Sequence, residues 1–158
     1  MWHSRLLALS LFFSALFAIE ALAETDAGTT DKIKSAIVDE RRPDTDRARD
    51  KNRKPLETLQ FLGLKEDMRV LELMPGGGWY TRLLAPVLND NGQLYVSIFA
   101  ERAANALEGQ SGFENMSLIP FDRARISRPK GSRQMNVPPF SFGVKKLDMV
   151  VTFRNQHN

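Results

Sequence analysis

The chain has 158 residues, with 22 lysines and arginines against 19 aspartates and glutamates, and it has no cysteine. A net charge of +3 says little about partners, but the missing thiols exclude disulfides and a cysteine-borne lipid anchor. Packing alone has to hold the fold.

His3 and Arg5 precede an apolar run from Leu6 to Ile19 that closes on Ala21-Leu22-Ala23, the pattern of a secretory signal peptide cut after Ala23. The run falls short of the roughly 20 apolar residues that span a bilayer, so an uncleaved anchor is the weaker alternative. The expectation is an exported chain, periplasmic or secreted, with no stable membrane insertion after cleavage. Residues 24–158 suffice for one domain, read as a charged extension over 24–54 followed by an α/β unit over 55–158.

Along that unit the periodicity is informative. Ile33, Ala36 and Ile37 predict a short helix over Lys32 to Val38, with Asp31 placed to cap it. Asp39 to Lys54 is dense in both signs, broken by Pro43, and reads as a solvated connector. The alternative is a lid, with Arg47, Arg49, Lys51, Arg53 and Lys54 folded over a ligand. Pro55 opens a helix carrying Leu56, Leu59 and Leu62 on one face, which Gly63 stops. Met68 to Met74 is a compact apolar run, the mark of a strand buried on both faces. Tyr80 to Leu88 is helical in period, and Asn89-Asp90-Asn91-Gly92 turns it into a strand over Gln93 to Phe99. An alanine-rich helix over Ala100 to Leu107 and a strand over Met116 to Phe121 follow.

From Arg123 to Lys146 the period disappears. That stretch holds Arg123, Arg125, Arg128, Lys130, Arg133, Lys145 and Lys146 with no acid, punctuated by Pro129, Pro138 and Pro139. It reads as a long solvated loop, with attraction of an anionic substrate, membrane surface or nucleic acid as the alternative. Phe140 and Phe142 belong to no recognisable nucleic-acid module, and an exported chain seldom meets nucleic acid, so none is expected as a partner. Leu147 to Phe153 is a fourth strand. The alternation of strand and helix implies a parallel sheet with right-handed crossovers.

The chemistry concentrates in Val70-Leu71-Glu72-Leu73-Met74-Pro75-Gly76-Gly77-Gly78-Trp79-Tyr80-Thr81, a strand running through glycines into a helix. Glycines let the backbone approach a ligand, and the helix start offers unpaired amides to an anionic group. A triphosphate loop needs lysine then serine or threonine after its last glycine, and Trp79-Tyr80 stand there. A dinucleotide loop needs a third glycine where Thr81 stands and an acid ending the second strand, which Tyr95-Val96-Ser97-Ile98 lacks. That ligand stays open but fits less well. Glu72, an acid near the strand's tip, suits a cationic or amino-bearing ligand, because a buried carboxylate without a partner is costly. Trp79 and Tyr80 read as core or rim aromatics, with ligand stacking as the alternative.

The Glu72-Leu73-Met74-Pro75-Gly76-Gly77-Gly78-Trp79-Tyr80-Thr81 stretch resembles class I S-adenosylmethionine-dependent methyltransferases, especially predicted exported bacterial members. The likeness runs from about Asp44 to Asn158 and includes Arg49 to Pro55 and Phe153-Arg154-Asn155-Gln156-His157-Asn158. It implies a Rossmann-like three-layer α/β sandwich with a mostly parallel sheet, incomplete here at about the first four strands. It also implies S-adenosylmethionine as cofactor and methyl transfer to an acceptor as activity. By position, Glu72 with Gly76, Gly77 and Gly78 would cradle the methionine part, within a loop that includes Pro75, Trp79 and Thr81. Ser97 takes the place of the acid that usually holds the ribose, and Asp122 that of an adenine contact. Asp148 and Arg154-Asn155 would border the reacting end. Met74 stands where the broad class has its first glycine.

His157 near the sheet's switch point is a candidate proton acceptor. No spacing supports a metal site. Since adenosylmethionine is made in the cytoplasm, a non-catalytic exported binding protein on the same fold is the alternative function. The strands that normally follow the fourth are missing, so the expectation is a truncated product with an exposed edge strand.

Overall fold

A computed structural model describes residues 26–155; the signal-peptide reading over 1–23 and His157 lie outside the described residues. The chain opens with α1 (Ala27–Val38), whose cap is Asp26: its carboxylate accepts from the Gly28 amide at 3.1 Å. The helix thus begins a turn earlier than Asp31 suggested, and Asp31 lies inside it, paired with Lys34 at 3.3 Å.

The charged stretch that follows is largely exposed, as expected of a solvated connector, but it takes up short helices. It forms α2 (Asp44–Arg47) and α3 (Asp50–Arg53), and Lys54, at φ 44°, turns the chain into α4 (Pro55–Phe61). The reason is Arg42. Only 2% exposed, its guanidinium donates to both carboxylate oxygens of Asp50 at 2.9 and 2.7 Å and to the Ile37 carbonyl at 2.6 Å. A buried cation is tolerable when a forked carboxylate takes most of its charge-assisted donors, and here only Nε is left without a partner.

The rest alternates as the periodicity requires: β1 (Arg69–Leu73), α5 (Thr81–Leu88), β2 (Gln93–Ser97), α6 (Glu101–Leu107), β3 (Met116–Ile119), a 3-10 turn (Arg123–Arg125) and β4 (Met149–Thr152). All four strands are parallel in the order β3-β2-β1-β4, an incomplete Rossmann-like α/β sheet. β2 stops at Ser97, before the expected Phe99, because Ile98 and Phe99 both take left-handed φ, 56° and 58°, where a ladder cannot continue. Gly92 is required at the turn into β2: a Cβ there would stand 2.6 Å from the carbonyl oxygens of Glu66 and Met68.

One face of the sheet makes the core. Val70, Leu94, Val96 and Val151 join Ile33 of α1, Leu59 of α4, Leu83, Leu84 and Leu88 of α5 and Leu107 of α6 in a single cluster. Glu72 pairs in register with Val96 and Val151, so its side chain shares that core-facing side. On the opposite side, Leu71 is buried between Tyr95 and Val150, while the Arg69 guanidinium lies over the Tyr95 ring and donates to its hydroxyl at 2.7 Å.

Candidate functional site

β1 lies between β2, reached through α5, and β4, reached by the long return from β3. The direction of winding changes beside β1, and in open α/β sheets ligands bind at the carboxyl ends of the strands at such a point. The glycine loop is there. Met74 continues the β1–β2 ladder, its amide donating to the Ser97 carbonyl at 3.0 Å, and adopts φ 54°. That left-handed value explains why glycine suits the position, since a side chain in this conformation costs about 1 kcal/mol. Pro75 then accepts from the Gly78 amide at 2.9 Å, and Gly78 accepts from the Arg82 amide at 3.0 Å, closing the turn onto α5.

The three glycines differ in role. Added Cβ atoms at Gly76 and Gly77 would meet nothing within 4 Å, so both face open space, and their amides have no hydrogen-bond partner among the described residues. Gly78 is enclosed: a Cβ there would lie 3.2 Å from both the Ala103 Cβ and the Arg82 guanidinium. Arg82 in turn donates to the Gly77 carbonyl at 2.7 Å, bracing the loop from the helix side.

Glu72 lies buried on β1 under the first turn of α5. It is 2% exposed and accepts from the Thr81 hydroxyl at 2.7 Å. Burial raises its carboxyl from an ordinary 4.5 to about 7, a rise that the Thr81 hydrogen bond partly opposes. Thr81, fully buried, is thereby engaged with Glu72.

The remaining expected residues divide. Ser97 stands beside the loop, but its hydroxyl donates to the Ile119 carbonyl at 3.0 Å. Asp122 follows β3 and caps the 3-10 turn by accepting from the Ala124 amide at 2.9 Å. Asn155 joins the site directly, donating to the Met74 carbonyl at 3.2 Å and to the Thr152 hydroxyl at 2.9 Å. Asp148 does not join it. In a parallel sheet the start of β4 lies at the edge opposite the loop, and Asp148 exchanges hydrogen bonds there with the Arg69 backbone at 2.8 and 2.9 Å. Trp79 is not open for stacking on a ligand. Its ring lies under the Arg53 and Arg42 guanidinium carbons at 4.5 and 5.3 Å from the centroid, and its indole N–H donates to the Asp46 carbonyl at 2.9 Å. The charged segment thus seats on the aromatic that opens α5. Beside it, Tyr80 stacks on Phe153 with centroids 3.4 Å apart, and burial raises the Tyr80 hydroxyl above its usual range.

Sequence reasoning missed Arg42, and although it named Arg53 in a possible lid and Phe153 at the end of β4, it did not foresee their packing on Trp79 and Tyr80. The only signal was the coincidence of buried aromatics at 79 and 80 with a basic run some thirty residues earlier. The desolvated Arg53 guanidinium, near Arg49, is depressed below the usual arginine range. A cavity of about 320 Å³ between α6 and β3, lined by Ala104, Glu108, Phe113 and Met116, opens near the start of β3 and holds none of the expected residues. Among the described residues no group of three or more His, Asp or Glu is arranged to hold a metal, and no helix is long and apolar enough to cross a membrane.

Since Asn155 clips β4 to the loop, Asn155→Ala should raise the exchange rate of the Met74 amide severalfold while lowering global stability by only about 1 kcal/mol. Hydrogen exchange followed residue by residue measures both. An unchanged Met74 amide would mean the clip does not hold the loop.

No protein-family model matches the chain, and neither a curated protein nor a solved structure does.

Proposed function

We propose that this chain binds S-adenosylmethionine at the glycine loop and transfers its methyl group as a class I methyltransferase. The observation that carries the reading is the pair of unpartnered amides at Gly76 and Gly77, open to solvent at the switch point, in the turn that follows the strand holding Glu72. Two free amides in the turn that leads into α5 suit the cofactor's methionine carboxylate, and the buried Glu72 acid lies at the end of the strand that feeds that turn. The exposed Asp122 lies after the neighbouring strand, on the side where the adenine contact is expected, whereas Ser97 is buried and engaged with the Ile119 carbonyl. The sulfonium supplies an activated methyl when bound. What the chain contributes is orientation, which suffices for in-line displacement without a covalent residue.

The same reading takes residues 1–23 as an export signal, and sequencing the amino terminus of protein recovered from outside the cytoplasm tests it, with Glu24 the expected first residue. For the cofactor, calorimetry of the folded chain with adenosylmethionine and adenosylhomocysteine is the direct experiment. Gly77 has no left-handed φ and open space around it, so Gly77→Val should fold normally while its side chain fills the cradle. Saturable binding by the parent and at least a tenfold loss in Gly77→Val are expected, a loss corresponding to about 1.4 kcal/mol. No binding by a demonstrably folded parent would sink the proposal. Binding without methyl loss from the cofactor in the presence of candidate acceptors would leave the non-catalytic alternative.

A further inference from the structure

The return from β3 to β4 is anchored at its base and projects at its tip. The base is a ladder of edge-to-face rings: Phe99 to Phe121 at 6.2 Å, Phe121 to Phe140 at 5.0 Å and Phe140 to Phe142 at 4.9 Å. Arg123 caps it over Phe99 while pairing with Glu101 at 3.1 Å, and Arg125 donates to the Pro139 carbonyl at 3.0 Å. Beyond that base, Ser127 and Asn136 exchange backbone hydrogen bonds of 3.1 and 2.8 Å, and the segment between them turns through a Ser132 amide donating to the Pro129 carbonyl at 3.0 Å. The tip is therefore a closed hairpin.

Its chemistry is one-sided. Arg128, Lys130 and Arg133 on the hairpin, with Lys145 and Lys146 just beyond the ladder, are exposed and have no ion pair among the described residues. Among these bases stand Met135 and Val137, 49% and 48% exposed. Exposed aliphatic side chains set among unpaired cations match the interface of an anionic bilayer, where the alkyl groups enter the acyl boundary and the bases meet phosphate. We propose that the hairpin over 127–137, flanked by Lys145 and Lys146, docks the protein on an anionic phospholipid surface. A single-stranded nucleic acid fits less well. Its bases need open aromatic faces, and Phe140 and Phe142 are half-buried and packed edge to face against their neighbours.

The test is partitioning of the full chain onto vesicles of phosphatidylcholine alone and of phosphatidylcholine with phosphatidylglycerol in equal parts. Residues 1–23 contribute equally to every variant, so the difference between parent and variants on the anionic vesicles isolates the hairpin. Binding to the anionic vesicles should be stronger and should weaken with salt. Each base is worth about a fivefold factor near such a surface, so Arg128→Gln with Lys130→Gln and Arg133→Gln should lower anionic partitioning about a hundredfold. Met135→Ser with Val137→Ser should lower it about tenfold at fixed salt while leaving the salt dependence unchanged. All five positions are exposed, so circular dichroism should show the variants folded like the parent. Equal partitioning onto both vesicles, or no loss in the charge variant, overturns the proposal. So does a chain that ignores the vesicles yet binds a single-stranded oligonucleotide through the same bases.

Discussion

Replacing Glu72 by glutamine should flatten the dependence of stability on pH between about 4.5 and 7. In the unfolded chain this carboxyl ionises near 4.5, and in the folded protein burial holds it at about 7. The folded state binds more protons across that window, so its stability is greatest at the acid end, falls as pH rises and levels off above about 7. A shift of that size corresponds to about 3 kcal/mol for a fully buried group. Glutamine keeps an oxygen for the Thr81 hydroxyl and removes the ionisation, so Glu72→Gln should be more stable than the parent by up to about 3 kcal/mol at pH near 8 and nearly equal to it near pH 4.5. Denaturant midpoints across that range measure the difference. Parallel profiles would show that Glu72 is not the buried group described. The same substitution should weaken any cationic ligand, so a variant gaining stability while losing affinity would separate the two roles of this carboxylate.

The second large effect belongs to Arg42 and Asp50. Asp50→Ala leaves a guanidinium whose side chain is 1% exposed without its carboxylate, and an uncompensated buried charge costs on the order of 3 kcal/mol. Arg42→Met should cost less. Methionine fills the space over Trp79, and the carboxylate left behind, 22% exposed, reaches water. Unfolding midpoints should therefore rank parent, Arg42→Met, Asp50→Ala in falling order, and the double variant should lie close to Arg42→Met. Equal losses in both single variants would mean that the charged segment is held by backbone contacts alone.

The sheet and its glycine loop were legible because their signals are local. Met68 to Met74 and Tyr80 to Leu88 carry their periods within one element, and turn residues bracket them, so the strands over Arg69–Leu73 and Gln93–Ser97 and the helix over Thr81–Leu88 follow closely. The segment over 39–54 was not legible. Its order depends on one arginine matching an acid eight residues away and on an indole more than thirty residues later, and no window of periodicity contains both. The partners of the site residues were hidden for the same reason. Ser97, Asp122 and Thr81 have the right chemistry by position, but each is engaged by a partner that only the folded chain supplies. Asp148 failed on geometry, since sequence does not show at which edge of the sheet a residue before a strand will stand.

The hydrogen bond from Asn155 to Met74 spans 81 positions of the chain. Contacts between distant positions form late, because the entropy of closing the intervening segment has to be overcome before the contact exists. The glycine turn, local as it is, should therefore gain its clip to Asn155 only after β4 has docked beside β1, behind the α1, α4 and α5 core. Protection of the Met74 segment should be the slow event in refolding, recovered after the bulk of the helical signal has returned.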